Sequence, residues 1–156
     1  TVHYHFVDFD SMLFEITERA LERTYTARLL AINAIVDIPK KVVRLIDLGI
    51  PDEISPEVTM MYDAIPRVRL QVHSRPVLRA YLDRQASLYR SVIDAGVATG
   101  DFQPSAPVDT ISRNLLALED AYCLYLLLGI RQDGASSREA AYSYATSALN
   151  FPVGQA

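Results

Sequence analysis

An all-α fold, a helical bundle of about six helices, is predicted by three features of the sequence. Apolar residues recur at three-to-four spacing through six stretches, the period of an amphipathic helix. Proline, glycine and capping residues fall between those stretches rather than in one linker. No stretch alternates as a half-buried strand would, and no internal repeat is present. A chain of 156 residues, 50% hydrophobic and 22% charged, has the length and balance of a domain with its own core.

The first helical period carries Phe9, Leu13, Ile16 and Ala20 on one side and Glu15, Arg19, Glu22 and Arg23 on the other. Asp8 is the expected N-cap, with Val7 and Met12 spaced as a hydrophobic staple, and the helix is expected to reach about Ala34. Asp37-Ile38-Pro39 opens a second, short helix containing Val42, Val43, Leu45 and Ile46, which Gly49-Ile50-Pro51 ends. Ser55-Pro56-Glu57 starts a third, with Met60, Met61, Ile65, Val68 and Val72 on its stripe and a kink expected at Pro66. Pro76 introduces a fourth, from about Val77 to Ala98, stopped by Gly100.

Val108 to Ile130 is the most apolar stretch, with Leu, Ala, Tyr or Cys on nearly every face after Ile111. A helix of that kind is buried in protein or inserted in lipid. Glu119 and Asp120 at its middle would each cost about 2.5–3.5 kcal/mol in a bilayer centre, which disfavours lipid. A helix apolar on several sides touches its own core on one and a second surface on another, commonly a second copy of the chain. Ser136-Ser137-Arg138-Glu139 reads as a capping box for a last helix to about Asn150, with Ala141, Ala145 and Ala148 at close-packing spacing.

The net charge of −4 argues against these residues alone forming a nucleic-acid surface, since such surfaces are basic. The single cysteine, Cys123, lies in an apolar run, so a disulfide framework is excluded and a reducing, cytoplasmic compartment is expected. The chain begins at Thr1 inside what reads as a helix, and a segment upstream of it is expected.

The opening Thr1 to Leu13, T-V-H-Y-H-F-V-D-F-D-S-M-L, resembles the end of the recognition helix and the start of the connecting helix in the tetracycline-repressor (TetR) family of transcriptional regulators. Tyr4, His5 and Phe6 stand at the family's aromatic-His-Phe positions. Val7 replaces a usual Pro and Phe9 a frequent Lys. Further along, Pro76, the L-Y-R at Leu88 to Arg90, A-G-V-A-T-G-D-F at Ala95 to Phe102 and A-L-E-D-A at Ala117 to Ala121 are similar in order to the family's effector-pocket and dimer helices, with Ala121 where Gly is common.

The resemblance implies that residues 1–7 close a helix-turn-helix DNA-binding domain and that residues 8–156 form a TetR-type effector-binding and dimerisation domain. It places Thr1, His3, Tyr4 and His5 at or near the DNA backbone, where such groups position a protein rather than specify sequence. The alternative for these residues is a frayed polar terminus. It further implies a homodimer through the last two helices, operator DNA and a small-molecule effector as partners, no cofactor, and a repressor released by its effector.

Helical spacing puts Met61, Tyr62, Ile65, Arg69 and His73 on one face of the third helix and Tyr81, Gln85 and Tyr89 along the next, with Tyr122 able to add a hydroxyl from the apolar helix. Aromatic walls with a few hydrogen-bonding groups are what a small-molecule cavity requires; a tyrosine-rich core with hydroxyls reaching the surface fits the same residues. Leu116, Asp120, Leu124 and Leu127 form another stripe, assigned with Ala141, Ala145 and Ala148 to the dimer interface. A carboxylate at Asp120 needs a partner such as an arginine, or binds a cationic ligand. No phosphate loop, nucleophile elbow or Cys-x-x-Cys is present, and the Glu-x-x-His of a di-iron bundle fails because Leu70 precedes His73 by three. Neither an enzyme nor a metal site is expected. A helical protein–protein interaction module without DNA binding is the alternative function.

Overall fold

The structure, a computed structural model, describes the backbone of residues 2–70, 75–130 and 134–151, and the side chains of 11–64, 75–130 and 135–151. All regular structure among them is helical: α1 Val2–Asn33, α2 Ile38–Gly49, α3 Pro56–Leu70, α4 Arg75–Thr99, α5 Val108–Leu127 and α6 Gly134–Leu149. Among the described residues no helix is long and apolar enough to cross a membrane.

The short helix α2 is the hub. Asp37 caps it as the sequence predicts, its carboxylate accepting from the Lys40 amide at 3.0 Å with Pro39 in the first turn. Val42, Leu45 and Ile46 are fully buried, and α2 touches α1, α4, α5 and α6. Around it the core gathers Leu88, Val92 and Ile93 of α4, Ile111 and Leu115 of α5, and Leu149 of α6.

Two helix ends fold back through glycines. After α4, Gly100 adopts φ +83°, and the Phe102 amide donates to the Gly96 carbonyl at 3.0 Å. The Phe102 ring thereby lies against Gly96, where a Cβ would stand 2.1 Å from Phe102 Cδ2. The A-G-V-A-T-G-D-F segment is thus one packing device: Gly96 makes room, Gly100 turns, and Phe102 fills. At the end of α5, Gly129 (φ +66°) directs the Ile130 amide to the Tyr125 carbonyl at 3.0 Å and its own to Leu126 at 3.0 Å, a Schellman closure.

Two boundaries and one buried face differ from the sequence reading. No break occurs at Val7 to Asp10: α1 is continuous from Val2, because that stretch holds neither Pro nor Gly and a mid-helix Asp costs only a few tenths of a kcal/mol. Asp8 is therefore not a cap. α6 begins at Gly134, two residues ahead of the expected capping Ser136. The buried stripe of α1 also runs farther than expected, through Thr17, Leu21, Arg28 and Ile32, since α1 packs against α2, α3 and α4 along its length.

Candidate functional site

Four helices leave a cavity of about 410 Å³ between them, lined by Thr17 and Leu21 of α1, Met61 and Tyr62 of α3, Leu78, Tyr81 and Leu82 of α4, and Asp120, Ala121 and Leu124 of α5. The described lining is leucine, methionine, alanine, tyrosine and one threonine, with one carboxylate and no basic side chain. Its hydroxyls are partly committed. Thr17 Oγ1 donates to the Leu13 carbonyl at 2.8 Å, and Tyr62 Oη donates to the Asp120 carbonyl at 3.3 Å, tying α3 to α5 across the cavity.

Beneath this cavity a charged cluster is sealed in the core. Arg28 and Glu119, both about 4% exposed, pair in a bidentate fork: Nη1 donates to Oε2 at 3.0 Å and Nη2 to Oε1 at 2.7 Å. The guanidinium also donates to Gln85 Oε1 at 2.9 Å and to the Leu45 carbonyl at 3.0 Å, and lies 5.6 Å from the Tyr89 ring centroid. Tyr89 Oη donates to Glu119 Oε1. Gly49 closes the other side, for a Cβ there would stand 2.0 Å from the Glu119 carboxyl carbon. One ion pair thereby joins α1, α2, α4 and α5.

Burial sets the protonation equilibria. It pushes Glu119 up from its ordinary range, opposed by the Arg28 charge and the hydrogen bonds. Burial would lower Arg28, but the Glu119 carboxylate outweighs it and holds the guanidinium charged. Asp120, at the open side of the cavity, is raised to about 6, first by desolvation and then by neighbouring Glu119, with Arg28 pulling the other way. Tyr81 and Cys123 are each pushed up to about 12, chiefly by burial. Cys123 Sγ lies 3.1 Å from the Gly49 carbonyl as a weak donor, a neutral thiol unsuited to nucleophilic work.

The structure distributes the sequence-predicted residues unevenly. Met61, Tyr62 and Tyr81 do meet in the cavity. Gln85 and Tyr89 lie in the core below, fully buried around Arg28 and Glu119, because they fall one and two turns farther along the inward face of α4. Tyr122 packs half-buried against the core, edge to face with Tyr125 at 6.2 Å, away from the cavity lining. The side chains of Ile65 and Arg69, all of His73, and the side chains of Thr1, His3, Tyr4 and His5 lie outside the described residues.

Residues assigned to a dimer face are redistributed as well. Asp120 and Leu124, assigned to that face, line the cavity. Ala141, Ala145 and Ala148 are buried in the chain's own core, their small side chains letting α6 approach closely. Leu116 is 8% exposed and Leu127 half-buried. Arg28 pairs with Glu119 rather than with Asp120, one residue and about 100° around the helix. The signal for it in the sequence is the helical register of Thr17, Leu21, Arg28 and Ile32, in which an arginine interrupts an inward-facing row and calls for a buried partner. Among the described residues no His, Cys, Asp and Glu cluster could hold a metal.

No protein-family model matches the sequence, and no curated protein matches it. Among solved structures, a protein of Saccharomonospora viridis assigned as a transcriptional regulator, in complex with choline, matches with a TM-score of 0.80 at 20% identity, over 96% of this chain and 79% of that one. This likeness establishes the all-α fold and its connectivity.

Proposed function

We propose that the chain is the effector-binding part of a ligand-responsive, DNA-binding transcriptional regulator of the TetR type, a repressor that a small organic cation releases from its operator. The carrying observation is Asp120, a carboxylate on the wall of an otherwise apolar, tyrosine-bearing cavity whose other walls come from α1, α3 and α4. The fold's occurrence in a choline-bound protein assigned as a transcriptional regulator supports both halves of the reading. Because α1 lines the cavity and is one helix from Val2 to Asn33, a ligand that shifts α1 alters whatever precedes it. In this reading residues 1–7 end the recognition helix, Thr1, His3, Tyr4 and His5 lie at the DNA backbone, and two copies pair through α5 and α6. Effector binding then shifts a population between DNA-competent and incompetent spacings of two heads.

The reading requires a basic three-helix DNA-binding pattern encoded ahead of Thr1. Mobility-shift titration of the protein with that region, on its own promoter DNA, tests it. Specific binding at low salt that choline or a related cation reverses is expected; absence of specific binding sinks the proposal and leaves the helical interaction module. Tyr62→Phe, which removes the bond between α3 and α5, should weaken cation-dependent release more than DNA binding itself.

A further inference from the structure

The cavity is larger and more apolar than a small ammonium ion needs. A volume of about 410 Å³ falls in the range of sites that enclose drug-sized molecules, several times a bare trimethylammonium head. Its polar inventory is nearly spent, since the Thr17 hydroxyl serves Leu13 and the Tyr62 hydroxyl serves the Asp120 carbonyl. Away from Asp120 the wall is Leu21, Met61, Leu78, Leu82 and Leu124, against which a ligand's hydroxyls or carboxylates would lose their water without replacement.

Among the described lining residues the charge pattern disfavours an anion and favours a single positive charge. Among the described lining residues Asp120 is the one ionisable acid and no base is present. The nearest buried cation, Arg28, is held by both oxygens of Glu119 and cannot swing to neutralise Asp120. Tyr62 and Tyr81 add aromatic faces, which attract alkylammonium groups. An adjoining groove of about 300 Å³ shares Leu21 and Tyr81 with the cavity and is also lined by Glu18 and Glu22. There Arg84 is engaged by Glu22 and lies 4.2 Å from the Tyr25 ring centroid, which leaves Glu18 as the acid without a basic partner among the described residues of this groove.

We infer that the cavity takes an amphiphilic monocation, a quaternary or alkylated ammonium head beside Asp120, Tyr62 and Tyr81 carrying an unbranched or aromatic apolar body along Leu78, Leu82 and Leu124. This rests on the cavity being the effector site and names the chemical class of its occupant.

Calorimetric titration of the 156-residue chain with tetramethylammonium and then with hexyl-, octyl- and decyltrimethylammonium, each below its micelle concentration, tests the assignment. Affinity should rise roughly fourfold for each added methylene that is fully buried, until the cavity fills. Decanol should bind more weakly than decyltrimethylammonium, and decanoate should not compete. Asp120→Asn should weaken the cations about tenfold or more while leaving decanol unchanged, and Leu82→Ser, at a half-exposed wall position, should flatten the chain-length slope. Circular-dichroism melts confirm that both variants fold. A flat chain-length series, equal binding of decanoate, or an Asp120→Asn variant that binds cations as tightly as the parent would each overturn the inference. Tight, chain-length-dependent cation binding that fails to release DNA would leave this site intact and overturn the regulator reading instead.

Discussion

Arg28 on α1 and Glu119 on α5 form a two-point ion pair, 3.0 and 2.7 Å long, sealed in the core beneath the cavity. Ninety-one residues separate them in the chain. The pair is costly to assemble, because both charges leave water, and its geometry offsets that cost only while every partner stays in place. Of the remaining donors in the cluster, Arg28 Nε and Gln85 Nε2 are buried without a hydrogen-bond partner, so the network has little slack.

Removing one charge should therefore be far worse than removing both. Glu119→Ala leaves Arg28 buried and uncompensated, at a cost of about 3–5 kcal/mol. The double variant Arg28→Met with Glu119→Leu should recover most of that loss. Urea unfolding midpoints check this, and additive single and double effects would show that the pair is not coupled.

Gly49→Ala should be destabilising by about 2–3 kcal/mol through overpacking against the Glu119 carboxyl group. In a Glu119→Ala background the obstruction is gone, and the higher helix propensity of alanine makes the same change neutral or slightly favourable. A double-mutant cycle at the two positions measures the coupling directly.

Asp37→Ala should cost about 1 kcal/mol by removing the bond to the Lys40 amide that starts α2. Since α2 is the hub of the core, the loss should appear in global unfolding rather than as local fraying. Hydrogen exchange of the Val42, Leu45 and Ile46 amides resolves the two.

Cation binding should tighten as pH rises from about 5 to 7. Asp120 is held at about 6 against an ordinary 3.8, so below pH 6 a cation must displace its proton, and affinity falls by up to about tenfold per pH unit. Glu119 raises that value and Arg28 lowers it, while the Tyr62, Tyr81 and Cys123 groups nearby stay neutral through this range. For the unliganded chain the sign reverses. A folded-state value above the unfolded one means that the folded state binds more protons between about 4 and 6, so the stability Asp120 contributes is present below pH 4 and lost as pH rises through 6. Titrations and thermal melts at pH 5, 6 and 7 report the two trends; parallel trends would contradict the assignment.

Local rules made the elements of this protein legible. Asp37-Ile38-Pro39 and Ser55-Pro56 place two helix starts, the latter with Ser55 Oγ accepting from the Val58 amide at 3.3 Å, and Gly100 turns the chain where the sequence predicts. Each of these depends on groups within a few residues of one another. Helical spacing alone also brings Met61, Tyr62 and Tyr81 together at the cavity, though not Tyr89 or Tyr122. Tertiary structure decided which face of α5 meets what. A helix apolar all round gives no periodic signal to separate the Asp120–Leu124 face, which lines the cavity, from the Glu119–Cys123 face in the core, only one residue away. It also decided the use of α6, whose alanines are buried within the chain because α2 and α5 approach them closely. Adjacent acids at 119 and 120 read alike in sequence. One is paired in the core and the other faces an open cavity because Arg28, on a helix far away in the chain, meets only the first.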